Sequence, residues 1–122
     1  MHEMAICCAL LEQIGAIAHR HSARVARVHL AVGPLSGAEP ALLERAYPLA
    51  CAGTAAEGST LVVEAAAVRV RCRRCATESN ASANRLLCAA CGDWRTELTG
   101  GDELTLVRVE LTTDVGEVAA LP

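Results

Sequence analysis

The chain has almost no aromatic material. Its 122 residues include no phenylalanine, one tyrosine (Tyr47) and one tryptophan (Trp94). That poverty counts against stacking on single-stranded nucleic acid and against an RNA-reading sheet built on aromatic rings. Any core must be aliphatic, and an apolar content of 52% is enough to build one. No apolar run approaches the length of a membrane span, and there is no repeat or low-complexity tract. The start, Met1-His2-Glu3, carries no basic-then-apolar leader. No Ser/His/Asp order, phosphate loop or open metal site emerges, so an enzyme is the least expected class.

Cysteine is the residue the chain has in quantity. Cys72-Arg-Arg-Cys75 is followed, after twelve residues, by Cys88-Ala-Ala-Cys91. Each CxxC pair bends the backbone into a knuckle that points two sulfurs at one ion, and the short loop lets the second knuckle fold back on the first. Gly92, directly after the second knuckle, suits a turn that needs positive φ. Two disulfides would require an oxidising compartment, which nothing in the sequence indicates. A redox pair, with Arg73 and Arg74 lowering the thiol pKa values, does not need a second CxxC at this distance. Zinc on Cys72, Cys75, Cys88 and Cys91 is therefore expected. Four thiolates leave no open position, so its role is structural. Seven cysteines is an odd number and argues for reduced thiols, hence a cytoplasmic location. Cys7, Cys8 and Cys51 read as small core fillers.

Net charge is −3, unevenly spread. Residues 69–95 carry six arginines against Glu78 and Asp93, a balance of +4 that leaves −7 for the rest. Four thiolates and a divalent ion add about −2 to this segment and leave it basic. Such a face suits an acidic partner or a nucleic acid, or is simply solvated.

Taken in order, residues 3–21 carry a helical stripe of Ile6, Leu10, Ile14 and Ile17, stopping near His21-Ser22. Residues 24–33 alternate as a strand, with His29 mid-strand on the less apolar face. Residues 33–40 are a loop, and Pro40 fits the first position of a second helix with Glu39 beside its start. Pro48 should kink that helix or end it early. One long strand is expected over 61–70 and another over 103–112, its alternation switching near Leu106-Val107 at a bulge. The residues from Thr113 show no pattern and are expected to fray. His19 and His21 fit a capping role at the end of the first helix. The economical fold is α+β: two helices packed on a small mixed three-stranded sheet, with an inserted four-cysteine zinc-ribbon-like domain. The expected division is 1–69 plus 102–122 for the body and 70–101 for the zinc domain.

The tripeptide Met1-His2-Glu3 offers a second site. A free α-amine, the His2 amide and the His2 ring nitrogen close fused rings on one metal, and such nitrogen sets favour square-planar Ni(II) or Cu(II). The first amides of a helix have no intrahelical partner, so a metal can replace a proton there. The competing reading is an exposed helix start with no ligand role.

Met1-His2-Glu3 entering a helix, Gly33-x-x-Ser36-Gly37-x-Glu39-Pro40, Gly53-Thr54-x-Ala56-Glu57-Gly58, the paired knuckles and Glu103-Leu104 occur in one order. Together they resemble the HypA/HybF family of nickel-insertion proteins for NiFe-hydrogenase. The resemblance spans residue 1 to about 111 and implies a metallochaperone, not an enzyme. It implies Ni(II) on Met1, His2 and Glu3, with Glu39 where some members place a further acidic residue. It implies structural zinc on the four cysteines, and as partners a HypB-type GTPase and the hydrogenase large subunit, with urease also served in some organisms. No membrane or nucleic-acid partner follows from it, and the chain is expected as a monomer or weak homodimer. Cys8, Cys51, Pro48 and the alanines of the second knuckle depart from the common pattern. The alternative reading is a zinc ribbon that binds nucleic acid or protein.

Overall fold

The computed structural model describes residues 2–122. In chain order the elements are α1 (His2–Arg20), β1 (Arg24–Val32), α2 (Pro40–Cys51), β2 (Thr60–Ala65), β3 (Arg69–Cys72), β4 (Glu78–Asn80), β5 (Thr96–Gly100), β6 (Leu104–Thr113) and β7 (Gly116–Ala120). The strands form a four-stranded sheet in the order β2-β1-β6-β7 and a three-stranded sheet in the order β4-β3-β5. The chain gathers into two compact units. One holds the described residues up to Leu30, with Ala38–Glu64 and Thr105–Pro122; the other holds Ala31–Gly37 and Ala65–Leu104.

In the first unit, α1 buries Glu3, Cys7, Leu10, Ile14, Ile17 and Ala18, a spacing of threes and fours that keeps one face inward. The stripe is centred slightly off the expected one, because Cys7 is buried and Ile6 only half-buried. Ile14 is fully buried, worth about 1.5–3 kcal/mol by transfer from water. The helix stops where expected. Ser22 takes φ 50°, and the Ala23 amide donates to the Ala18 carbonyl at 2.9 Å, closing the last turn.

The second helix starts on Pro40 with Glu39 as its cap residue, and Leu43, Ala46, Tyr47 and Cys51 face inward. It packs on α1, and the Cys7 thiol points at the Leu43 carbonyl at 3.8 Å. Pro48 does not end it early: the helix continues to Cys51. A proline this close to the end deletes only the bond its missing N–H would give to Glu44, and its ring lies on the exposed side. The core is aliphatic as expected. Tyr47, its one aromatic ring, is buried and sends its hydroxyl to Ser59 Oγ at 2.7 Å.

The four-stranded sheet is mixed. The Val25 amide bonds Ala55 ahead of β2 and the Ala66 amide bonds Val32 beyond it, so β1 and β2 run the same way. The Gly33 amide bonds the Glu103 carbonyl at 2.8 Å, so β6 returns in the opposite sense. The sheet has one strand more than expected. Residues from Thr113 do not fray: they turn over Asp114-Val115, and β7 pairs antiparallel with β6 from Val109↔Ala120 to Thr113↔Gly116. Thr113 Oγ1 ties the turn, donating to the Gly116 carbonyl and accepting from the Val115 amide. The phase switch in β6 is present, since Leu106 and then Val109 and Leu111 are buried.

The strand expected over 61–70 proves to be two, β2 and β3, separated at 66–68, and only β3 lies wholly in the second unit. Val68, at the end of the break, is buried against Gly101. Gly101 sits so close to Val68 that a Cβ there would lie 2.8 Å from Val68 Cα. Gly33 meets Gly101 more tightly still, because a Cβ on Gly33 would fall 2.1 Å from the Gly101 carbonyl oxygen. The Leu35 amide also donates to that oxygen, at 2.8 Å. Small residues at both positions let two backbone segments touch.

Candidate metal centre

The four knuckle cysteines converge. Cys72 ends β3, the others follow in loops, and their sulfurs all lie within 4.8 Å of one another. Cys72 and Cys91 sulfurs are 3.6 Å apart, as are those of Cys75 and Cys88. A zinc–thiolate tetrahedron with bonds of about 2.3 Å has edges of about 3.8 Å, so the set fits one such ion. The spacing is far too long for disulfides, and all seven cysteines are free thiols.

The knuckles are built alike. In the first, the Cys72 amide donates to the Thr77 carbonyl, the Ala76 amide donates to the Cys72 carbonyl and the Cys75 amide points at the Cys72 sulfur. In the second, Cys88 pairs with Asp93, Gly92 with Cys88, and the Cys91 amide points at the Cys88 sulfur. Gly92 has φ 78°, as its sequence position suggests, and the matching residue Ala76 has φ 61° without being glycine. Amides aimed at sulfur stabilise thiolate and orient the lone pairs toward the centre.

Asp93 locks the second knuckle, a role the sequence reading missed. Its carboxylate accepts from the Arg95 amide at 2.7 Å and from the Arg95 guanidinium at 3.0 and 2.8 Å. It also lies 3.5 Å from Arg74 of the first knuckle. These bonds, led by the Arg95 side chain, hold its carboxyl well below the usual carboxylate range. The Asp-x-Arg spacing after a knuckle glycine was the available signal, since an aspartate bonding the amide two residues on is a common turn device.

Without metal the thiols differ sharply. Cys75 is pushed down to about 6, first by the Thr77 side chain and then by its backbone. Thr77, not the Arg73-Arg74 pair, is the cause. For Cys91 the Asp93 backbone acts to lower the pKa. Hydrogen bonding with Cys72, desolvation and the remaining two thiols outweigh it and push Cys91 up to about 12. Four sulfurs this close cannot all hold negative charge until a cation joins them.

At the other predicted site, His2 is exposed at the start of α1, whereas Glu3 is buried. The Glu3 carboxylate accepts from the Glu39 amide at 3.4 Å, joining the start of α1 to the start of α2. Met1 lies outside the described residues. Of the remaining cysteines, Cys7 and Cys51 are buried and burial raises both thiol pKa values, as suits inert core residues. Cys8 is exposed, not a core filler, because it falls beside the inward stripe of α1. His19 and His21 are exposed at the helix end. His29 is buried despite its polar face, between Glu64 and Glu110 of the neighbouring strands. Among the described residues no helix is long and apolar enough to cross a membrane.

Comparison with known proteins agrees with this geometry. A family described as "Hydrogenase/urease nickel incorporation, metallochaperone, hypA" matches residues 1–111. The hydrogenase maturation factor HypA of Nitrosospira multiformis is 50% identical over 114 residues, covering 93% of this chain and 99% of the relative. That of Aquifex aeolicus is 36% identical, covering 93% and 100%. The solution structure of the nickel metallochaperone HypA from Helicobacter pylori has the same fold, with a TM-score of 0.67 at 20% identity over 89% of this chain and 96% of that one. These matches span the helices, both sheets and the paired knuckles alike, and the chain belongs to the HypA family of nickel-incorporation metallochaperones, metal-binding proteins rather than enzymes.

Proposed function

We propose that this chain carries Ni(II) on its first residues and passes it to a NiFe-hydrogenase large subunit in the cytoplasm, working with a HypB-type GTPase. The ligands are the Met1 amine, the His2 amide and ring, with the Glu3 carboxylate alongside. The observation that carries this reading is the exposed His2 imidazole at the first turn of α1, one residue before a carboxylate that accepts from the Glu39 amide. A chelate at an exposed terminus loads and unloads without opening a core, as cargo requires.

In this reading 1–69 with 102–122 is the nickel domain and 70–101 the zinc domain. Zinc on Cys72, Cys75, Cys88 and Cys91 would supply a cross-link between the knuckles. The residues themselves orient the thiolates through the Cys75 and Cys91 amides and hold the second knuckle by Asp93. The excess of arginine in this segment balances the thiolate charge and offers a basic face to an acidic protein partner.

Calorimetric titration with Ni(II) tests the proposal. Native protein should bind one nickel at the terminus, with affinity falling as acid competes for the imidazole, and His2→Ala should lose it. A few residues added before Met1 should abolish delivery and leave the fold intact. Equal nickel affinity for native and His2→Ala protein discards the reading.

A further inference from the structure

One buried polar group is used by neither metal centre described above. His29 stands in the middle of β1, between Glu64 on β2 and Glu110 on β6, and its side chain is only 8% exposed. Nε2 is 2.7 Å from Glu110 Oε2, an oxygen that also accepts from Arg27 at 3.0 Å. These two bonds, His29 first, hold the Glu110 carboxyl below its ordinary range, so it is a carboxylate turned to Nε2. Nδ1 is the ring nitrogen left over. That atom is buried and has no hydrogen-bond partner, a costly arrangement for a polar nitrogen.

The Glu64 carboxylate lies beside Nδ1, with Oε1 3.5 Å away. A separation of 3.5 Å is too long for a good hydrogen bond. It is the right separation for two ligands of one cation. Metal–nitrogen and metal–oxygen bonds of about 2.1 Å spanning that gap meet at about 110°. A metal-binding histidine characteristically turns its other ring nitrogen to a carboxylate, which orients the ring; Glu110 is so placed for His29, 2.7 Å from Nε2. Glu64 is 46% exposed, so its outer side can rotate and admit an ion with its waters.

We propose that His29 Nδ1 and Glu64 form a further divalent-metal site on the sheet, with Glu110 as the residue that orients the ring. One imidazole and one carboxylate suit a borderline first-row ion, Ni(II), Co(II) or Zn(II), in preference to magnesium or calcium. With two protein ligands and the rest water, the site holds metal more weakly than four thiolates do and exchanges it readily. Arg27 is neutralised by Glu110 and does not oppose the ion. The site does not depend on where nickel binds at the amino terminus.

The experiment uses the full chain, zinc-loaded and acetylated at its amino terminus so that the terminal chelate is silent. Ni(II), and separately Co(II), is titrated while the histidine ring signals are followed by NMR. The His29 ring should broaden and shift as paramagnetic ion is added. Glu64→Gln should weaken that response at least tenfold, and Glu110→Gln by about 10–100-fold. The doubly substituted His19→Gln, His21→Gln protein should respond at His29 as the parent does. Glu64 is half-exposed, so its variant tests the site even if Glu110→Gln fails to fold. An unperturbed His29 ring overturns the proposal, as does an unchanged response in Glu64→Gln or loss of the response in the His19, His21 variant.

Discussion

The two knuckles offer a matched experiment on backbone strain. Ala76 and Gly92 occupy equivalent positions, each donating its amide to the first cysteine of its pair, at 3.0 and 2.9 Å. Both have left-handed φ, 61° and 78°, but only one is glycine. An L-residue in that region costs about 1–2 kcal/mol. Glycine costs about 0.4–1 kcal/mol through its greater freedom in the unfolded chain. Ala76→Gly should therefore gain about 0.5–1 kcal/mol, and Gly92→Ala should lose about the same. A Cβ at Gly92 would meet nothing within 4 Å, so the second change probes φ alone. Metal binding and folding of such a segment are one equilibrium, so the difference appears in zinc affinity. Competition against a chromophoric chelator at fixed pH should show Ala76→Gly binding about two- to five-fold tighter and Gly92→Ala weaker by a similar factor. Changes of the same sign, or no change in either, would refute the reasoning.

Other outcomes follow from the same coordinates. Gly33→Ala would drive a methyl into the Gly101 carbonyl, and should cost about 3 kcal/mol or more, read by urea denaturation; a loss under 1 kcal/mol would contradict the close approach. Pro48→Ala restores an amide for the Glu44 carbonyl on an exposed turn of α2 and should gain about 1 kcal/mol, raising Tm by several degrees. Zinc affinity should rise with pH. Cys75, at about 6, is already ionised at neutral pH, but Cys91, at about 12, must release its proton on loading. The metal-bound state thus holds fewer protons, and each proton released strengthens binding about tenfold per pH unit. An affinity flat between pH 7 and 9 would show that Cys91 is not a ligand.

What could be read from the chain were the features set by neighbours in sequence. The CxxC spacing, the apolar stripe of α1, Pro40 at the start of α2 and the turn at Gly92 are all local. The misses were decided across space. Gly116–Ala120 has no alternation of its own and becomes a strand because β6 offers an edge. The sequence puts His29 on the less apolar face of its strand, and its burial depends on Glu64 and Glu110, far along the chain. The break after Ala65 ends at Val68, which lies against Gly101, a residue far along the chain. Asp93 was counted only as charge, although Arg95 two residues on already hinted at its clamp.

Glu3 serves two masters. Its carboxylate braces the opening of α2 through the Glu39 amide, and in sequence it follows the histidine that we assign to cargo. The carboxylate is buried, so its brace is part of the packing of the two helix starts. Removing it by substitution would untie α2 from α1 at the same stroke as it removes the neighbour of His2, and Glu3→Gln, which keeps an oxygen for the Glu39 amide, is the variant that separates the two roles.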